Sequence, residues 1–173
     1  MLLKKPSTRE IALGGIMLAL SVVVLYAESL APTGRISLYA LSSFFVSVVV
    51  IESGTKAGWL FYLASSLMSF LIVPDKLGLI PYFLFFGIYG LIKYYCEKFP
   101  NRVAEFIAKY VYFNLCLVVA WFLVKELFLA QVEFPISEWL IAIALQIAFF
   151  IYDWVYSLVI QAYRERIRKL LSK

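Results

Sequence analysis

From Ile11 to Tyr163 the chain is a succession of long apolar runs, interrupted only by short clusters of proline, glycine and charge. A helix that crosses a bilayer needs about 20 mostly apolar residues at a rise of about 1.5 Å each. Six segments meet that length, at about 10–30, 36–52, 55–73, 77–96, 103–129 and 136–163. The breaks are Ala31-Pro32-Thr33-Gly34, Glu52-Ser53-Gly54, Pro74-Asp75-Lys76, Glu97-Lys98-Phe99-Pro100-Asn101 and Val132-Glu133-Phe134-Pro135. Each carries turn or helix-start chemistry. Asn101 can cap the fifth helix with Glu105 in its first turns, and Ser137 can cap the sixth with Glu138 following. The fold class expected is therefore all-α, a single polytopic membrane domain over 1–173 with six transmembrane helices.

Composition agrees, because 64% of the residues are hydrophobic and 16% are charged, too few to cover the surface of a water-soluble domain. The excess of Lys and Arg does not point to nucleic acid, since the basic residues stand between and after the apolar runs. They read as topology signals. Of the 16 Lys and Arg, all but Arg35, Lys76 and Lys125 fall on the side of the N-terminus when six helices are threaded in turn. Retention of basic residues in the cytoplasm then puts both termini inside. The first run follows Lys4, Lys5 and Arg9 as in a signal peptide, but it is long and lacks a small-x-small cleavage site, so it is read as a retained helix. The tail over 164–173 alternates basic and apolar residues and is expected to lie along the inner headgroups, or to dock a cytoplasmic partner.

Few residues offer chemistry. There is no histidine, which removes the commonest general base and metal ligand, and Cys96 and Cys116 have no paired spacing. No phosphate-binding glycine loop, metal motif or activated nucleophile is present, so no catalytic residue, metal or cofactor is assigned and no enzyme is expected. Polar groups at membrane depth are costly, which singles out Asn114, Gln146 and Asp153. Asn114 and Asp153 fall at comparable depth, where a helix-to-helix clasp is the plain reading and a coupling carboxylate the sharper one. Nearer the outside, Glu28, Arg35, Tyr39, Tyr82, Trp121, Lys125, Glu126 and Trp139 stand at helix ends. They could orient a small polar ligand, although Tyr and Trp also form interfacial belts. Glu28 and Arg35 flank a loop that Pro32 and Gly34 would let fold over the bundle. Ala12, Gly15 and Ala19 make a flat stripe on the first helix, suited either to packing within the bundle or to close approach by another membrane subunit.

This layout resembles the S component of energy-coupling factor transporters, the small membrane subunit that binds a vitamin or related micronutrient. The stretch carrying the resemblance is Thr8-Arg9-Glu10-Ile11-Ala12-Leu13-Gly14-Gly15-Ile16-Met17-Leu18-Ala19-Leu20, where Gly15-x-x-x-Ala19 stands in place of the family's paired alanines. The resemblance implies a ligand in the outer half of the bundle, with Glu28, Arg35, Tyr82, Trp121, Lys125 and Gln146 as candidate contacts. It also implies docking of Ala12, Gly15 and Ala19 to a T component, two ATP-binding-cassette ATPases as further partners, and a place in the bacterial plasma membrane. The rival expectation is a non-transport interaction or assembly subunit, which would use the same stripe and the basic tail.

Overall fold

The structure, a computed structural model, describes residues 7–128 and 138–167, with side chains over 7–123 and 139–165. The described residues are helical, with no strand among them. Five α-helices follow in order: α1 (Thr8–Leu30), α2 (Arg35–Ile72), α3 (Gly87–Cys96), α4 (Arg102–Phe128) and α5 (Glu138–Ala162). A π-helical turn, Tyr82–Phe86, leads directly into α3, and a second, Tyr163–Ile167, follows α5. Four of these elements are long and apolar enough to cross a membrane: α1, α2, the part of α4 over Arg102–Leu123, and Trp139–Glu165. The chain divides into two compact units, Met1–Ala120 and Trp121–Lys173.

In the first unit the helix starts are built as the sequence dictates. Ser7 caps α1 in a reciprocal box: its hydroxyl accepts from the Glu10 amide at 3.2 Å while the Glu10 carboxylate accepts from the Ser7 amide at 2.9 Å. Asn101 caps α4, its side-chain oxygen taking the Val103 amide at 2.9 Å, and Glu105 sits in the first turn. The cap expected at Ser137 lies outside the described residues, as does the tail beyond Ile167.

The expected break at Glu52-Ser53-Gly54 takes an unexpected form. The 38 residues of α2 are two helices that meet at Gly54, which alone leaves helical geometry at φ 84° and ψ 173°. A straight helix of that length would reach about 57 Å, close to twice the hydrocarbon thickness. Instead the chain doubles back at Gly54. Arg35, at the start of α2, bonds Asp75, just beyond its end, at 3.0 Å, and Gly58 packs against Val50. The two limbs, over 35–53 and 55–72, are thus antiparallel, and each rises about 27 Å. The segment expected as a helix over 77–96 begins later, in turns, and is helical over 80–96.

The π-turn is held by three side-chain donors from two helices. An i→i+5 turn redirects its carbonyls, and these are taken up by donors from other elements. Tyr62 of α2 donates to the Phe83 carbonyl at 2.7 Å, Tyr112 of α4 to the Leu84 carbonyl at 2.8 Å, and the Cys116 thiol to the same carbonyl at 3.2 Å. Phe85 stacks on Tyr112 and meets Phe113 edge to face. The π-turn is therefore the knot that joins α2, α3 and the first part of α4.

Burial is distributed as lipid requires. Ser21, Ser42, Ser43, Ser47, Ser65 and Ser69 are all buried, while Ile11, Ile16, Leu60, Leu63, Leu71, Val111 and Phe122 are exposed. A water-soluble protein shows the opposite arrangement. Small serines let helix backbones approach closely, and several of their hydroxyls are turned onto their own helix: Ser42 donates to the Tyr39 carbonyl at 2.8 Å and Ser43 to that of Ala40 at 2.7 Å. The chain is an all-helical protein suited to a membrane.

In the second unit, α5 is apolar and mostly exposed, with Trp139, Ile143, Ile147, Phe150 and Trp154 all on its surface. Tyr152 and Tyr156 meet edge to face at 5.5 Å, and the Ser157 hydroxyl donates to the Asp153 carbonyl at 2.8 Å.

Candidate functional site

The loop between α1 and α2 creates the principal polar cluster. α1 ends with the Ala31 amide donating back to the Glu28 carbonyl at 3.0 Å. Gly34 then adopts a left-handed conformation, φ 77°, which non-glycine residues reach only at a cost, and the chain reverses into α2. This return places Arg35 directly over the end of α1. Its Nε donates to the Ala31 carbonyl at 3.2 Å, its Nη1 donates to Asp75 Oδ2 at 3.0 Å, and Nε lies 3.5 Å from Glu28 Oε1.

Asp75 comes from the loop after α2, forty residues along the chain. Its other oxygen accepts the Gly78 amide at 2.8 Å. That amide, together with Arg35, holds the Asp75 carboxyl below the usual carboxylate range. The Gly78 carbonyl in turn accepts from the Tyr39 hydroxyl. Lys76 turns away from the carboxylates to close the end of α2: its ammonium donates to the Phe70 and Val73 carbonyls.

Glu28 stands apart within this cluster. Its side chain is fully buried, against the Tyr39 hydroxyl and the Arg35 guanidinium. With Ser21 and Leu25 it forms the buried face of α1, and Leu25 packs in one cluster with Tyr39, Val73, Leu79 and Tyr82. Beneath it the Tyr82 hydroxyl bonds Ser65 at 2.7 Å and Ser21 at 3.5 Å. The site is thus a buried carboxylate packed near aromatic rings, with an exposed arginine clamped beside it.

At the other end of α1 the expected small-residue stripe is open. Ala12, Gly15 and Ala19 are exposed, and a side chain added at Gly14 or Gly15 would meet nothing within 4 Å. Of the stripe, Gly15 lines a groove of about 300 Å³, completed by Ser53 from the first limb of α2 and by Ala57, Leu60 and Ala64 from the second. The sequence pattern pointed to one wall of this groove; the second wall needed the reversal at Gly54.

The sequence-derived ligand set divides between the two units. Glu28, Arg35 and Tyr82 belong to the first, where the Tyr82 hydroxyl is already committed to Ser65 and Ser21. Trp121 and Gln146 belong to the second, Trp121 exposed and Gln146 half-buried, and the side chain of Lys125 lies outside the described residues. Asn114, on the first unit, is exposed, and its amide nitrogen donates to the Tyr110 carbonyl at 2.8 Å; Asp153, on the second, is half-buried.

Two features escaped the sequence reading. Asp75 appeared only as a loop acid, although a Pro-Asp-Lys break facing Arg35 across a helical hairpin was a usable signal. Lys93 and Lys109, read as topology signals, are buried side chains, paired with Glu97 at 3.4 Å and Glu105 at 2.6 Å. Among the described residues no three His, Cys, Asp or Glu side chains gather as a metal site.

No family model, no curated protein and no solved structure matches this chain.

Proposed function

We propose that this protein is the substrate-binding subunit of an uptake transporter of the energy-coupling factor type, taking up a vitamin-like micronutrient across the bacterial plasma membrane. On this reading α1, the two limbs of α2, the helix over 80–96, α4 and α5 are six spans, with both termini in the cytoplasm. The excess of Lys and Arg on the N-terminal side of the loops supports that orientation.

One observation carries the reading. A single helix, α1, bears a buried polar cluster at its C-terminal end and an open groove lined with small residues in its N-terminal half. Gly15 and Glu28 are separated by about 20 Å along the axis. In the proposed orientation the ligand enters from outside, at Glu28 and Arg35, while Ala12, Gly15 and Ala19 face a T component near the inner surface. Two ATP-binding-cassette ATPases complete the assembly. Open small-residue surfaces suit a partner helix in lipid, because association there depends on close van der Waals approach.

The test is affinity purification of the full-length protein from its native membrane in mild detergent, with mass spectrometry of both proteins and retained small molecules. Recovery of a T-type membrane subunit and paired ATPases is the expected result. Recovery of unrelated membrane proteins with no ligand would replace the transport reading by that of an interaction or assembly subunit, which the same groove would serve.

A further inference from the structure

We infer that the groove between α1 and the second limb of α2 holds an acyl chain of one phospholipid whose head carries a primary ammonium, a phosphoethanolamine lipid. The inference needs only a bilayer around the helices and does not rest on the transport reading.

The groove has a direction. Glu10 and Ser53 line it at one end, and the rest of the lining is apolar, reaching Leu18 on α1 and Ala64 on α2. From Glu10 to Leu18 it follows α1 for about 12 Å. The polar end lies at the start of α1 and at the Gly54 reversal, where two membrane-length segments end and headgroups stand. Two lining residues, Val49 and Phe61, belong to the buried core, so the groove is backed by packed side chains. Ala12 and Ala19 do not line it, so a helix seated on the small-residue stripe would leave the groove to lipid. A hydrocarbon chain with a polar head at one end matches this order.

The head is specified by what stands at the polar end. The Glu10 carboxylate accepts the Ser7 amide through Oε2 at 2.9 Å, which leaves Oε1 able to accept a further donor. The Ser53 hydroxyl is buried and forms no hydrogen bond among the described residues, a costly condition that a phosphate or ester oxygen would relieve. Lys56 is exposed, adjoins Ala57 and stands one turn before Leu60 of the groove wall; no described residue pairs with it. A phosphate thus meets Lys56 and Ser53, and an ammonium with N–H protons meets Glu10. Glu52 adjoins Ser53 in the chain, so acids outnumber Lys56 here and disfavour a lipid of net negative charge. Arg9 does not offset them, because about two and a half turns separate it from Leu18 and turn it to the other side of α1. A quaternary ammonium has no N–H to give, so a phosphocholine head would lose the bond to Glu10.

The experiment uses the full-length protein in mild detergent, exchanged against an equimolar mixture of phosphatidylethanolamine, phosphatidylcholine and phosphatidylglycerol with identical oleoyl chains. Retained lipids are counted by native mass spectrometry. Phosphatidylethanolamine is expected to be retained about tenfold over phosphatidylcholine, the ratio of one charge-assisted hydrogen bond, with phosphatidylglycerol no better than phosphatidylcholine. Glu10→Gln keeps the cap at Ser7, since glutamine serves a capping box as glutamate does, and is expected to abolish that preference. Gly14→Leu, whose Cβ would meet nothing within 4 Å, fills the groove and is expected to abolish retention of all the lipids. Phosphatidylglycerol retained as well as phosphatidylethanolamine, a preference that survives Glu10→Gln, retention that survives Gly14→Leu, or no retained lipid would overturn the assignment. If Gly14→Leu does not fold, the ranking of the lipids and its loss in Glu10→Gln decide. Co-purification of a membrane protein that displaces the lipid from the unaltered chain, and that Gly14→Leu excludes, would give the groove to a protein partner instead.

Discussion

Replacing Gly54 by alanine tests the hairpin on which the first unit depends. At φ 84° and ψ 173° Gly54 occupies a region that is essentially restricted to glycine. A Cβ there would meet no atom within 4 Å, so any cost is a backbone cost and not a clash. Holding a non-glycine residue in such a region costs about 1–3 kcal/mol. Gly15 provides the matched control: it is helical, and its Cβ would also enter open space. Gly15→Ala should therefore stabilise, by about 0.5–1 kcal/mol, because alanine loses less backbone entropy on forming helix. The assay is unfolding by increasing mole fraction of SDS in mixed micelles, followed by far-UV circular dichroism. Gly54→Ala is expected to unfold at lower SDS than the unaltered protein, and Gly15→Ala at the same or higher SDS. If Gly54→Ala unfolds with the unaltered protein, the reversal does not depend on a positive φ at that residue, and the argument for two antiparallel limbs loses its physical basis.

Gly87→Ala should destabilise by about 1–3 kcal/mol in the same assay, as overpacking does. Its Cβ would stand 2.9 Å from the Tyr82 carbonyl and 3.0 Å from the Tyr62 ring, against the knot of the π-turn; unchanged stability would show that the turn relaxes freely. Asp75 gives a pH dependence. Its folded pKa lies below the unfolded value of about 3.9, so its contribution is fully present above that value and is lost as pH falls through the folded pKa. Stability measured from pH 5 downward should fall less steeply in Asp75→Asn; parallel curves would remove Asp75 from the account. Gly15→Leu combined with Ala19→Leu should leave the isolated protein folded but abolish co-purification with the proposed T component, since bulk on the exposed stripe blocks helix approach. Normal recovery of the partner would refute the docking role.

Legibility varied with the range of the interaction. The caps at Ser7 and Asn101 depend on residues within three or four positions, and the Asn101 cap was read from the chain directly. The Glu28 and Arg35 pair was legible because its members stand seven positions apart, across a Pro-Thr-Gly loop. Its third member, Asp75, was not, since that contact needs the whole of α2 to fold back. The π-turn was also hidden. Nothing in Tyr82–Phe86 itself selects an i→i+5 pattern; the choice rests on donors from Tyr62, Tyr112 and Cys116, which reach its carbonyls from other helices.

The sequence by itself determined the solvent and the rhythm of the fold: apolar runs of helical length, ended by proline, glycine and charge, leave the backbone no way to satisfy its polar groups in lipid other than as helices. Which polar groups meet was decided only by tertiary structure. In a chain whose surface and interior are both apolar, hydropathy does not mark the buried face of a helix. Hence Lys93 and Ser69 face inward while Leu71 and Ile72 face outward, and a fully buried carboxylate, Glu28, lies beside an arginine whose hydrogen bonds go to Ala31 and Asp75.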